Sequence, residues 1–100
     1  MKQTRKRRIL IVDDSEMNRE ILTGILEDEY DIVEAEDGKK AIAIMEEGLY
    51  SFSIVLLDIT MPELDGFGVL QVMQQRNWLK ELPVIIISAE TSNEYIGHAY

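Results

Sequence analysis

Ile9-Leu10-Ile11-Val12-Asp13-Asp14-Ser15, residues 9–15, puts an uninterrupted apolar run directly against two acids and a hydroxyl. A short apolar run bounded by polar residues is the pattern of a strand buried on both faces. A second run of this kind, Ile54 to Leu57, closes on Asp58. Both aspartate groups therefore fall where a strand leaves the core, and in parallel sheets that carboxyl end is where ligands bind.

Outward from these two strands the chain alternates strand and helix. Arg8 to Val12 forms the first strand. From Ser15 to Asp28, Met17, Ile21, Leu22, Ile25 and Leu26 recur at helical spacing, with Asp14 or Ser15 as the cap. Tyr30 to Ala35 makes a second strand, and Lys39 to Glu47 a second helix that stops at Gly48. Phe52 to Leu57 is the third strand. Asp65 caps a third helix through Phe67, Leu70, Val72 and Met73, with Trp78 near its end, and Pro83 opens a fourth strand at Val84 to Ile87. Ser92 to Tyr100 begins a fourth helix. Strands apolar on both sides, separated by helices, imply an α/β fold: a doubly wound parallel sheet with helices on each face. Right-handed crossovers leave few topologies, and if strands one and three are neighbours then Asp13, Asp14 and Asp58 converge.

That convergence carries a cost. Two carboxylates about 4 Å apart repel by roughly 4 kcal/mol at an effective dielectric near 20. Either one group stays protonated or a divalent cation neutralises the cluster. Oxygen-only ligands suit a hard ion, which makes Mg²⁺ the expected cofactor, with Mn²⁺ as a substitute. The plainer alternative, in which Asp13 and Asp14 only cap the first helix, leaves Asp58 unexplained.

Composition bounds the rest. One hundred residues support one modest core, and the absence of cysteine excludes a disulfide framework and thiolate-held metals. No apolar stretch nears the roughly 20 residues of a membrane span, so the expected compartment is the cytoplasm. Lys2, Arg5, Lys6, Arg7 and Arg8 hold half of the ten basic residues, and residues 9–100 carry five basic against nineteen acidic residues, a formal −14. Residues 1–8 are therefore expected to be a solvated basic arm and 9–100 the folded domain; the acidic body argues against a nucleic-acid face. No Gly-rich phosphate loop is present, and Asp13-Asp14 lacks the Asp-x-Asp spacing of a metal-dependent phosphohydrolase. His98, the single histidine, stands near the chain end and is taken as surface.

Taken together, these blocks resemble the receiver domain of two-component response regulators. Residues 9–14 look like its first strand and acidic pair. Ile54-Val55-Leu56-Leu57-Asp58-Ile59-Thr60-Met61-Pro62-Glu63-Leu64-Asp65-Gly66 looks like its phosphorylation strand and following loop, and Pro83-Val84-Ile85-Ile86-Ile87-Ser88-Ala89 like its fourth strand. The resemblance covers nearly the whole chain. It implies a flavodoxin-like sheet of order 2-1-3-4, with the family's fifth strand and helix missing. It further implies that Asp58 accepts a phosphoryl group from a sensor histidine kinase or a histidine phosphotransfer protein. Asp13, Asp14, Asp58 and the backbone carbonyl of Thr60 would hold Mg²⁺, while the Ser88 hydroxyl would contact the phosphoryl group. Such a domain is a regulatory phosphoacceptor rather than a metabolic enzyme, and it would drive an output domain. A receiver that ends at Tyr100 lacks the family's fifth-strand lysine, so a module used only for protein interaction is the alternative. Its exposed fourth strand predicts a homodimer or a segment-swapped oligomer.

Overall fold

The computed structural model describes residues 6–59 and 66–87. Four strands, β1 (Arg7–Val12), β2 (Tyr30–Ala35), β3 (Ile54–Asp58) and β4 (Val84–Ile87), form a parallel sheet in the order β2-β1-β3-β4. Three helices connect them: α1 (Glu16–Leu26), α2 (Gly38–Gly48) and α3 (Gly66–Gln75). This is the doubly wound α/β sheet with the expected order 2-1-3-4.

The register fixes which residues share a face. Val33, Leu10, Val55 and Val84 lie in one row across the sheet, and Ala35, Val12, Leu57 and Ile86 in another. Because side chains alternate across a strand, these rows look the same way. Leu10, Val12, Val55 and Leu57 are fully buried there with Ala41 and Met45 of α2 and Val69 and Met73 of α3. The opposite face carries the row Glu34, Ile11, Leu56 and Ile85 and is covered, among the described elements, by α1.

Chain direction explains the placement of the helices. β1 to β2 steps one way along the sheet, and β2 to β3 returns past β1. Right-handed connections therefore put α1 on one face and α2 and α3 on the other. The reversal leaves a crevice outside the carboxyl ends of β1 and β3.

Several boundaries differ from those read in the sequence. β1 starts at Arg7, where it pairs with Tyr30, and β3 starts at Ile54. Phe52 instead follows a one-turn 3-10 segment, Leu49–Ser51; its ring is buried and Arg8 lies over it at 5.1 Å. α3 stops at Gln75 because Asn77 takes a left-handed conformation (φ 62°) that asparagine tolerates and a helix does not. Trp78 then belongs to a separate turn, Trp78–Lys80, where Arg76 stacks on its ring.

The largest departure concerns α1. Leu22 and Leu26 are half-buried as its periodicity implies, but Met17, Ile21 and Ile25 are 55–70% exposed. They occupy an exposed flank of α1. Beside that helix, Ile9, Leu26, Tyr30, Ile54, Leu56 and Ile85 line an apolar groove of about 320 Å³. Helical spacing marks residues able to face a core, and which of them do so depends on how much is laid against the helix.

Candidate functional site

At the carboxyl ends of β1 and β3, Asp13, Asp14 and Asp58 each bring a carboxylate oxygen within 4.8 Å of the others. The sheet register produces this meeting. Val12 of β1 lies beside Leu57 of β3, so the next residue of each chain segment, Asp13 after β1 and Asp58 at the end of β3, stands at the same rim. Asp13 and Asp58 are buried, whereas Asp14 is exposed.

Asp13 is held through all of its polar groups. Its backbone N–H donates to the Ala35 carbonyl at 3.1 Å, continuing the β1–β2 ladder. One carboxylate oxygen accepts the Ser15 N–H at 2.9 Å, a turn typical of aspartate, and the other accepts the Asn18 side-chain amide at 3.4 Å. Its carbonyl accepts from the Arg19 guanidinium at 2.7 Å. Ser15, rather than Asp14, caps α1, its hydroxyl accepting the Asn18 N–H at 3.2 Å. Freed from capping, the Asp14 carboxylate has no hydrogen-bond or salt-bridge partner among the described residues.

On the other side of the rim, Gly66 lets the start of α3 close over the end of β3. A Cβ at this position would stand 2.5 Å from the Asp58 carbonyl oxygen and 2.5 Å from the Ile59 Cα, closer than backbone can tolerate. Glycine is required here by proximity. In the sequence Gly66 only ends the loop block that follows Asp58, and its Asp-Gly context gives no sign of the close approach.

The donor set fits a hard divalent cation. Three carboxylate oxygens within 4.8 Å of one another, one of them on an exposed residue, supply oxygen ligands and negative charge without imidazole or thiolate. The nearby lysine Lys40 is engaged elsewhere. It forms a salt bridge with Glu36, and that hydrogen bond raises its pKa above the ordinary lysine value. Lys80 sits in the turn before β4, at the other end of the sheet. Thr60 and Ser88, together with Met61, Pro62, Asp65, Glu90 and His98, lie outside the described residues.

Sequence reasoning placed the three aspartates at this rim and missed Asn18, Arg19 and Gly66. A polar residue near a helix start is ordinary, and neither Asn18 nor Arg19 carries a motif that announces contact with Asp13.

Comparison with known proteins agrees with the geometry. A family model described as the response regulator receiver domain matches residues 9–100. The two-component response regulator ORR5 of Oryza sativa subsp. japonica is 32% identical over 90 residues, covering 89% of this chain and 66% of that protein. The probable transcriptional regulator ycf27 of Cyanophora paradoxa is 38% identical over 85 residues, covering 84% of this chain and 34% of that protein. The chain thus spans about a third to two thirds of the length of these relatives. Among solved structures, chemotaxis protein CheY4 of Vibrio cholerae superposes with a TM-score of 0.82 at 27% identity, covering 95% of this chain and 78% of its own. The response regulator TrrA of Thermotoga maritima, solved in complex with Mg²⁺-BeF, gives 0.76 at 34% identity, covering 85% and 71%. With strand order, acidic rim and family match in agreement, the chain belongs to the response regulator receiver domain family.

Proposed function

We propose that this chain is the phosphoacceptor module of a two-component phosphorelay, with Asp58 as the group that is phosphorylated. The observation that carries the reading is the meeting of Asp13, Asp14 and Asp58 within 4.8 Å at the carboxyl rim of the sheet. The phosphoryl donor is a phosphohistidine of a sensor kinase or of a histidine phosphotransfer protein. A carboxylate oxygen of Asp58 attacks phosphorus, the N–P bond breaks, and its electron pair returns to the imidazole nitrogen. The product is an acyl phosphate.

Asp13, Asp14, Asp58 and, by sequence position, the carbonyl of Thr60 would hold Mg²⁺ or Mn²⁺. The bound ion would supply charge neutralisation for a loose phosphoryl-transfer transition state. Everything else that the chain contributes is placement. Burial and four hydrogen-bonded contacts fix Asp13, Gly66 lets α3 pack onto the Asp58 backbone, and exposure leaves Asp14 open to a ligand. The Ser88 hydroxyl, next after β4, would donate to a phosphoryl oxygen and pass the change to an output surface. The Mg²⁺-BeF complex of TrrA and the CheX-CheY-BeF3-Mg complex of Borrelia burgdorferi are relatives whose ligands suit such a site.

Intact-mass measurement after incubation with acetyl phosphate and Mg²⁺ tests the proposal. The expected result is one added phosphoryl group, lost in Asp58→Asn and prevented by a chelator. Absence of the gain in the unaltered chain would favour a module that binds partners without chemistry, and a gain that persists in Asp58→Asn would remove Asp58 from its role.

A further inference from the structure

We propose that Arg19, paired with Glu34, is a positioning residue that sets the Asp13-Asp14 turn for cation binding, an inference that rests on the receiver reading of the rim. The Arg19 guanidinium bridges two elements. One nitrogen donates to the Asp13 carbonyl at 2.7 Å, and Nε pairs with Glu34 of β2 at 2.9 Å. The other Glu34 oxygen accepts the Thr23 hydroxyl at 2.9 Å.

Arg19 and Thr23 are four residues apart on α1 and so present one face of the helix, over the sheet row that contains Glu34. Glu34 therefore fastens α1 to β2 at two points, and the guanidinium carries that fastening to the backbone of the first aspartate. The Arg19 side chain is only 14% exposed, whereas that of Glu34, at 35%, stays in contact with solvent.

The consequence for the site is geometric. Asp13 enters the turn with its N–H tied to β2 and its carbonyl tied to α1, so the peptides on both sides of Asp13 are each held at one atom, the one that leads into Asp14 by Arg19. Asp14 is the exposed acid of the three and has no protein partner among the described residues, and its direction depends on the peptide before it. Groups that orient metal ligands without touching the ion commonly change affinity by 10- to 100-fold. Lysine at position 19 keeps the charge but offers no planar fork to span carbonyl and carboxylate together.

Charge alone makes the opposite forecast. A guanidinium beside three carboxylates competes with a cation, so if Arg19 acted only through its charge, its neutralisation would tighten Mg²⁺ binding. The two roles thus differ in sign.

The test is calorimetric titration of the folded chain with Mg²⁺, for the unaltered protein and for Arg19→Lys, Arg19→Gln, Glu34→Gln and the Arg19→Lys/Glu34→Gln pair, with chelator-treated melting temperatures measured in parallel. Arg19→Lys and Glu34→Gln are each expected to weaken Mg²⁺ binding by about tenfold, and the pair by little more than either, because both remove one linked device. An unchanged Mg²⁺ affinity in the variants, even with lowered melting temperatures, would reduce the network to a structural brace and overturn the proposal. Tighter binding by Arg19→Gln would overturn it in favour of a charge effect. If the unaltered chain binds no Mg²⁺, the receiver reading of the rim falls and the proposal with it, an outcome distinct from the other two.

Discussion

β1 and β3 each do two opposed things within a few residues. Through Leu10, Val12, Val55 and Leu57 they supply the fully buried centre of the molecule, and at Asp13, Asp14 and Asp58 the same strands gather like charges that repel. The interior is where the chain gains its stability and the rim is where it gives some up. Substitutions in the two regions should therefore move stability in opposite directions, and only one region should respond to a cation.

The largest expected effect lies in the interior. Leu10→Ala removes a side chain with no exposed surface from the middle of β1 and should cost about 2–5 kcal/mol by chemical denaturation. Ile25→Ala, on the open flank of α1, should stay within about 0.5 kcal/mol. Comparable losses at both positions would show that the flank is covered in solution.

Gly66→Ala sits at the junction of the two regions. Its methyl group must push α3 from the Asp58 backbone, so a loss of about 1–3 kcal/mol should accompany a weakened response to Mg²⁺. A full Mg²⁺ response with ordinary stability would mean that the loop absorbs the clash away from the site.

At the rim the sign reverses. A pair of carboxylates 4.8 Å apart repels by about 3.5 kcal/mol at an effective dielectric of 20, and solvent around exposed Asp14 screens most of that. Asp14→Asn should raise stability in chelator by about 1 kcal/mol, read as a higher urea midpoint with an unchanged slope. The smallest effect calibrates this gain. Gly24 lies inside α1 with open space where a Cβ would be, so Gly24→Ala should stabilise by about 0.5–1 kcal/mol with Mg²⁺ binding unaltered. Stabilisation by Asp14→Asn differs from this one only if it comes with loss of the cation.

The same division explains what could be read from the chain. The buried strands and the three aspartates were legible because a four-residue apolar run ending in acid is a local signal, whereas the strand order came from the family resemblance, since right-handed connection rules alone leave several topologies. Arg19 and Glu34 were not legible. They are separated by a whole connection, and their pairing depends on the β1–β2 register, which determines the face on which Glu34 emerges. Gly66 is informative only once the Asp58 backbone is known to lie against it. The exposure of Met17, Ile21 and Ile25 is likewise not in the sequence, because periodicity reports apolar character, whereas burial also requires a neighbour. The end of α3 turned on one left-handed residue, Asn77, that a run of apolar spacing through Trp78 concealed.

Repulsion among the rim carboxylates, relieved by a divalent cation, is what sets this site apart from the core beneath it. Thermal melting of the unaltered chain and of Asp14→Asn, each in chelator and in saturating Mg²⁺, tests this most directly. The prediction is that Mg²⁺ raises the melting point of the unaltered chain, by the equivalent of about 2.7 kcal/mol at one hundred times its dissociation constant, whereas Asp14→Asn starts higher in chelator and gains little. Equal Mg²⁺ gains in both proteins, or none in either, would contradict it.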